Sequence, residues 1–167
     1  MPISQFVEGL GGSDMPSPLG HMVKRRGTTD LAAVAEVDLF TIAGGDILLT
    51  ALVGRVTTAL SADNTLIQLH HTPTISGVQE DLCAEIGAHI ASDPVGSMYT
   101  ITGAHNVAMT ANVGVEGQAV ASFATNLDIL VAGVISLDVT AFANTGVIEW
   151  TIHYVPLNIQ TVVSVTP

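Results

Sequence analysis

The chain has 167 residues, enough for one domain with a sizeable core, and 48% of them are hydrophobic while only 11% are charged, against about 25% in an ordinary soluble domain. Four basic residues stand against fifteen acidic ones, and the net charge of −11 argues against nucleic-acid binding by the body of the protein. Arg55 interrupts the apolar run at residues 47–60, which falls short of the ~18 residues that a membrane-spanning helix needs.

Residues 1–31 are predicted to form an extended N-terminal arm, because glycine and proline are frequent there and alternating apolar residues are few. Phe6, Val7 and Leu10 are isolated apolar residues that could dock on a neighbouring surface; a frayed terminus is the alternative. The only basic cluster of the chain consists of Lys24, Arg25 and Arg26. Thirteen acidic residues follow from Asp30 onward, so this cluster is predicted to contact an acidic protein surface; a solvated arm is the alternative.

Residues 32–167 are predicted to form a β-sandwich domain, beginning with a strand at residues 32–42. Glycines at the AGGD sequence, residues 43–46, are expected to turn the chain where left-handed geometry is accessible. A long strand at residues 47–59 follows, with Gly54 as a candidate bulge. Further strands are predicted at residues 65–72, 78–90, 97–102, 106–115, 118–125, 127–132 and 157–166.

The most regular pattern of the chain lies at residues 134–156, where two β-rich runs flank a short turn. The apolar face of the second run consists of Ile148, Trp150, Ile152 and Tyr154. Asn144 and Gly146 tolerate positive φ, so the two runs are predicted to pair as an antiparallel hairpin on which the other strands stack. Pro156 lacks an N–H group, so the second strand is predicted to end there.

Nine or ten short strands without helical periodicity favour an all-β fold. The interpretation is an antiparallel β-sandwich, jelly-roll-like, with an immunoglobulin-like sandwich or a simple barrel as alternatives. Cys83 is the only cysteine, and its alternating surroundings predict a buried side chain. With no disulfide and no leader pattern, folding in a reducing cytoplasm is expected.

The sequence contains no strong motif for catalysis or for binding a metal, phosphate or sugar. His70 and His71 are adjacent on a predicted strand and therefore point to opposite faces, so one metal ion cannot easily take both. His89 and Glu85 share a face only if their strand is regular. No Walker-type loop and no Gly-x-Ser-x-Gly elbow is present, and the Glu80–Asp81 pair has no aromatic platform for a sugar. We expect neither an enzyme nor a metal or other cofactor.

Two segments carry a resemblance to a known group. LFTIAGGDILLTALVGRVTTALSADNTLIQLHHTPT and the distant TGVIEWTIHYVPL resemble small structural proteins encoded near the head genes of tailed bacteriophages, several of which are capsid decoration, or cement, proteins. The likeness spans roughly residues 35–160. It consists of a Gly-Gly turn, a GRVTTAL-like strand, a Pro-Thr loop and a closing strand with tryptophan.

The resemblance implies a virion structural protein that binds the outer head surface as a symmetric homo-oligomer, with a trimer favoured and a dimer possible. Its partner would be the major capsid protein, with no direct nucleic acid and no membrane, and it would reach the capsid surface after assembly in the host cytoplasm. Phe6, Leu10 and the basic cluster would contact the shell or a neighbouring subunit. Deleting residues 1–30 is expected to leave a folded oligomer that no longer binds capsids.

Two alternatives to this function remain. One is a tail, neck or fibre component, and the other is a carbohydrate-binding β-sandwich module.

Overall fold

The computed structural model describes residues 20–25, 31–86, 90–113 and 127–166, and these ranges contain no helix. The all-β prediction is therefore confirmed for the described residues. They form eleven strands, against the nine or ten expected. The strands are β1 (His21–Arg25), β2 (Glu36–Ala43), β3 (Ile47–Thr58), β4 (Leu66–Pro73), β5 (Glu80–Asp81), β6 (Met98–Thr100), β7 (Thr110–Asn112), β8 (Asp128–Leu130), β9 (Gly133–Thr140), β10 (Val147–Pro156) and β11 (Val162–Val165).

The strands form two antiparallel sheets. The first sheet has the order β1-β10-β3-β6-β7, and β8 pairs with the free half of β3 beside β6. The second has the order β11-β2-β9-β4-β5. Consecutive strands β1 to β4 thus alternate between the two sheets. This alternation means that most neighbours in a sheet are distant in sequence.

One cluster of buried apolar side chains draws on both sheets. Trp150 and Leu52 come from the first sheet, and Phe40, Ile67 and Leu137 come from the second; all five have no exposed surface. Alternation along β10 places Ile148, Trp150, Ile152 and Tyr154 in this cluster, as predicted. The strand also ends at Pro156, as predicted.

The hairpin predicted at residues 134–156 is wrong. β9 pairs with β2 and β4 in the second sheet, whereas β10 pairs with β1 and β3 in the first. The connection between them crosses from one sheet to the other, and its left-handed residue is Ala141 (φ 65°) rather than Asn144 or Gly146. The period of two identified the buried face of each strand correctly but carried no information on its partner.

The described part of the predicted arm is a strand. Residues 21–25 pair along β10, from His21 opposite Tyr154 to Arg25 opposite Trp150. Val23 packs against the buried cluster, and the ring of His21 stacks on that of Tyr154 with centroids 5.7 Å apart. Residues 1–19 and 26–30 lie outside the described residues, so the boundary at residue 31 stays a prediction.

Gly54 is not a bulge. The register of β3 on β10 runs without interruption from Val53 to Arg55, and the shifts lie elsewhere, between Val147 and Ile148 and between His153 and Tyr154. A Cβ atom at Gly54 would lie 2.8 Å from the Trp150 ring. The glycine is therefore explained by the space that the tryptophan ring requires.

Two other predicted strands differ from the structure. In β2, which begins at Glu36, a register shift between Asp38 and Phe40 lets the adjacent residues Leu39 and Phe40 both be buried. Of the strand predicted at residues 78–90, only β5 is regular. The irregular residues after it still form backbone hydrogen bonds with β4, from the amides of Leu82 and Ile86. Residues 118–125, predicted as a strand, lie outside the described residues.

Candidate interaction surface

Four connections meet at one end of the two sheets, which we call end A. They are residues 44–46, 74–79, 131–132 and 157–161. The main chain links them, because the amide of Leu157 donates to the carbonyl of Asp46 (2.9 Å) and the amide of Thr74 donates to that of Ala132 (2.9 Å). The opposite end, end B, carries the connections at residues 59–65, 90–97 and 141–146.

The turn at the centre of end A requires glycine. Gly44 has a φ of 78° and Gly45 a φ of 153°, both in the region that side chains disfavour, as predicted for this turn. A Cβ atom at Gly44 would lie 2.1 Å from the carbonyl oxygen of Gln160, and one at Gly45 would lie 2.6 Å from Asn158. The turn therefore packs directly under the 157–161 connection and fixes its position.

Large apolar side chains are exposed at end A. Among the described residues, fourteen large hydrophobic side chains are exposed, and seven of these lie in the end A connections or in strands within two residues of them. They are Ile75, Val78, Ile129, Val155, Leu157, Ile159 and Val162. Ile159 is fully exposed and Ile75 is 92% exposed. End B carries fewer, namely Val34, Val95 and Phe142. A concentration of exposed apolar side chains is typical of an interaction site.

A cleft of about 270 Å³ opens within end A, between β4 and β8. Apolar walls come from Pro73, Leu82, Leu130 and Val131, and carboxylates stand around them at Glu80, Asp81 and Asp128. His105 Nε2 lies 3.1 Å from Asp128 Oδ1 at the mouth. The cleft is therefore an apolar depression with an acidic border.

The two adjacent histidines of β4 have separate environments, which agrees with the expectation that they point to opposite faces. His71 lies in the cleft, 3% exposed, and its Nε2–H donates to the carbonyl of Val131 (3.1 Å). Burial lowers the pKa of His71, so the neutral imidazole is favoured. His70 instead lies beside Asp81, with Nε2 and Oδ1 3.3 Å apart.

The described ranges contain no group of three or more His, Cys, Asp or Glu side chains that could hold a metal ion. His89, paired with Glu85 in the sequence interpretation, lies outside them. Nor do these ranges include a helix long and apolar enough to cross a membrane. Cys83 is buried, as predicted, and burial raises the pKa of its thiol to about 11.

The structure describes only the backbone of two of the residues predicted to contact the shell, so this contact stays a prediction. Lys24 and Arg25 lie in β1 opposite Thr151 and Trp150, and their side chains are not described. Phe6, Leu10 and Arg26 lie outside the described residues. The exposed apolar residues of end A were missed, since an apolar residue in a loop carries no periodic signal that separates exposure from burial.

Comparison of the chain with protein-family models, with curated proteins and with solved structures gives no match in any of the three. No relative therefore supplies a function, and the residues and surface of this chain are the basis for proposing one.

Proposed function

We propose that this protein is a capsid decoration protein of a tailed bacteriophage, a virion structural protein that binds the outer head surface as a homo-oligomer and stabilises the shell. The observation that carries the proposal is the concentration of exposed large apolar side chains at end A. The low charge of the chain and the resemblance of its two segments to phage head proteins support it. Contact with the major capsid protein or a sister copy would remove this apolar surface from water.

The free energy available from burial of end A suits a contact with the shell that is repeated many times. Burial of one Val, Leu or Ile side chain contributes about 1.5–3 kcal/mol, and association costs roughly 4–15 kcal/mol in lost translational and rotational freedom. Seven such side chains at end A can therefore support a contact of modest strength between one chain and its partner. A symmetric oligomer that makes several of these contacts at once gains occupancy through its effective concentration.

A jelly-roll sandwich is the proposed architecture of the two sheets. The eight strands of a jelly roll, lettered B to I along the chain, form one sheet of order B-I-D-G and another of order C-H-E-F. The orders β1-β10-β3-β6 and β2-β9-β4-β5 support this topology, with β11 added at one edge. In this arrangement β1 is the first strand of the fold.

The burial of most described aromatic side chains argues against the carbohydrate-binding alternative. A sugar-binding surface needs exposed aromatic rings, and among the described residues Trp150, Tyr99, Phe40 and Tyr154 are buried. Phe142 alone of the described Phe, Trp and Tyr side chains is exposed. A tail, neck or fibre component has the same apolar texture as a decoration protein and is separated from it by the location of the protein on the particle.

The test compares two double variants for binding to phage heads that lack the protein. Ile75→Ser with Ile159→Ser changes end A, and Val95→Ser with Phe142→Ser is the matched control at end B. We expect the end A variant to lose at least about tenfold in affinity for the heads, which is ~1.4 kcal/mol, and the control to bind as the wild type does. Equal occupancy for both variants, with both folded by circular dichroism, would exclude end A from the contact.

A further inference from the structure

The described chain begins at end A. Gly20 precedes β1 and has a φ of 89°. Its α-carbon packs so closely on β10 that a Cβ atom would lie 2.2 Å from the carbonyl oxygen of Tyr154 and 2.9 Å from the Val155 side chain. Since β10 ends at Pro156 and continues into the 157–161 connection, residues 1–19 must extend from a point next to Leu157.

The composition of residues 1–19 matches the surface from which they extend. Seven of the nineteen residues are large and apolar, and two, Glu8 and Asp14, are charged. The apolar residues are Met1, Ile3, Phe6, Val7, Leu10, Met15 and Leu19. Left in water, they and end A would form two separate exposed apolar surfaces in one chain, whereas contact between them buries both.

The segment is long enough to cross end A. Nineteen residues span up to about 60 Å when extended. Four strands side by side measure roughly 15–20 Å, and two packed sheets are about 10 Å apart. Attachment at Gly20 also gives the segment a millimolar effective concentration at its own end A, which a segment from another chain reaches only at very high protein concentration.

We propose that residues 1–19 cover end A of their own chain, with Phe6, Val7 and Leu10 against the exposed side chains of the 74–79 and 157–161 connections. This places the contact of the predicted arm within the chain. It does not depend on the capsid role, because it concerns the isolated protein. A capsid partner that binds end A would then bind the segment as well or displace it.

Engineered cysteine pairs test the contact directly, since Cys83 is buried and its thiol is largely protonated at neutral pH. The test pair is Leu10→Cys with Ile159→Cys. The matched control pairs Leu10→Cys with Phe142→Cys, which is exposed at end B. Both proteins are oxidised with glutathione disulfide at submicromolar concentration, and the products are separated by non-reducing electrophoresis and mapped by mass spectrometry. We expect the test pair to form an intramolecular disulfide at least several-fold faster than the control.

Two results would overturn the proposal. Equal intramolecular rates for the two pairs would mean that residue 10 has no preference for end A. A disulfide formed mainly between chains would place the segment on a neighbouring copy. The outcome is separate from capsid binding, since the isolated chain can form the intramolecular disulfide whether or not it binds a shell.

A second measurement does not require new cysteines. Removal of residues 1–19 leaves β1 intact and is expected to raise the binding of an apolar fluorescent dye several-fold, because end A becomes uncovered. The full chain with Phe6→Ser, Val7→Ser and Leu10→Ser should show the same increase. A full chain with Ser4→Ala and Gln5→Ala is the control and should bind dye as the wild type does. No increase in either the truncated or the serine variant would contradict the proposal.

Discussion

Gly54 and Trp150 face each other across the β3–β10 ladder and show how one residue type is imposed by its neighbour. The indole is fully buried, and the space beside it is filled by ring atoms that would lie 2.8–2.9 Å from any Cβ atom at position 54. Contacts this short cannot be accommodated without displacement of the ring or of β3. The identity of residue 54 is thus set by packing across two strands.

Gly54→Ala is predicted to destabilise the protein by about 1–3 kcal/mol through overpacking against Trp150. Denaturant unfolding gives the free energy. In a Trp150→Phe background the smaller ring leaves room for the added methyl group, so the same substitution should cost less there. A cost that is identical in both backgrounds would contradict the steric explanation.

Asp93 is a buried carboxyl group, 6% exposed, that accepts a hydrogen bond from the hydroxyl of the fully buried Tyr99. Burial raises the pKa of Asp93, and the hydrogen bond from Tyr99 lowers it by less. The folded state therefore binds the proton more tightly than the unfolded chain does. The corresponding stability is fully present below the ordinary pKa of aspartate and is lost as the pH rises through the raised value.

Asp93→Asn is predicted to flatten this pH dependence, because the amide is neutral at every pH and its oxygen can still accept the hydrogen bond from Tyr99. The variant should gain stability relative to the wild type as the pH rises from about 4, the ordinary aspartate pKa, toward neutrality. Thermal unfolding across this range measures the difference. Parallel curves for the two proteins would show that Asp93 has an ordinary pKa.

At the scale of elements, β1 and the connection before β10 make structural contacts that their sequence patterns did not predict. Asn144 is 1% exposed; its carboxamide oxygen accepts from the amides of Ser61 and Gly146, and its NH₂ group donates to Thr65 Oγ1. It joins the 59–65 and 141–146 connections of end B, although it was predicted only as a turn residue. β1 similarly completes one edge of the first sheet through Val23 and His21.

Two truncations separate the strand from the segment before it. Removal of residues 1–25 takes away the β1 ladder and uncovers Tyr154, so it should cost roughly 2 kcal/mol or more, equivalent to about 4–8 °C in Tm for a domain of this size. Removal of residues 1–19 keeps β1 and should therefore lower Tm by less than the removal of residues 1–25 does. The deletion of residues 1–30 considered from the sequence would remove β1 as well. Equal Tm values for the two truncated proteins would show that β1 contributes nothing to stability.

At the scale of the whole molecule, the surface combines few charges with a strong excess of negative ones. Arg55 is the only lysine or arginine whose side chain the structure describes, whereas end A carries Asp46, Glu80, Asp81 and Asp128 among its apolar residues. Association of copies through apolar surface must therefore overcome repulsion between like charges. Salt screens that repulsion over about 8–10 Å at physiological ionic strength.

Self-association is predicted to strengthen as salt is added, because repulsion between acidic chains falls while apolar contact is maintained. Sedimentation velocity over a range of concentrations and salt levels measures the change and gives the order of the oligomer, for which a trimer is favoured. If association weakens with salt, the contact depends on opposite charges, such as the Lys24–Arg26 cluster against an acidic neighbour. A monomer under all conditions would contradict the homo-oligomer.

The sequence alone determined the all-β class, the positions of most long strands and the buried face of β10, because alternation with a period of two records which side of a strand meets the core. The glycine turn at residues 44–45 and the end of β10 at Pro156 were also predictable, since both depend on backbone chemistry. Only the tertiary structure decided which strands pair. β9 and β10 are joined by a short connection yet lie in different sheets, because their partners β2, β4, β1 and β3 come from the distant first half of the chain. Pairing of that kind depends on contacts between residues far apart in sequence, which local periodicity does not encode.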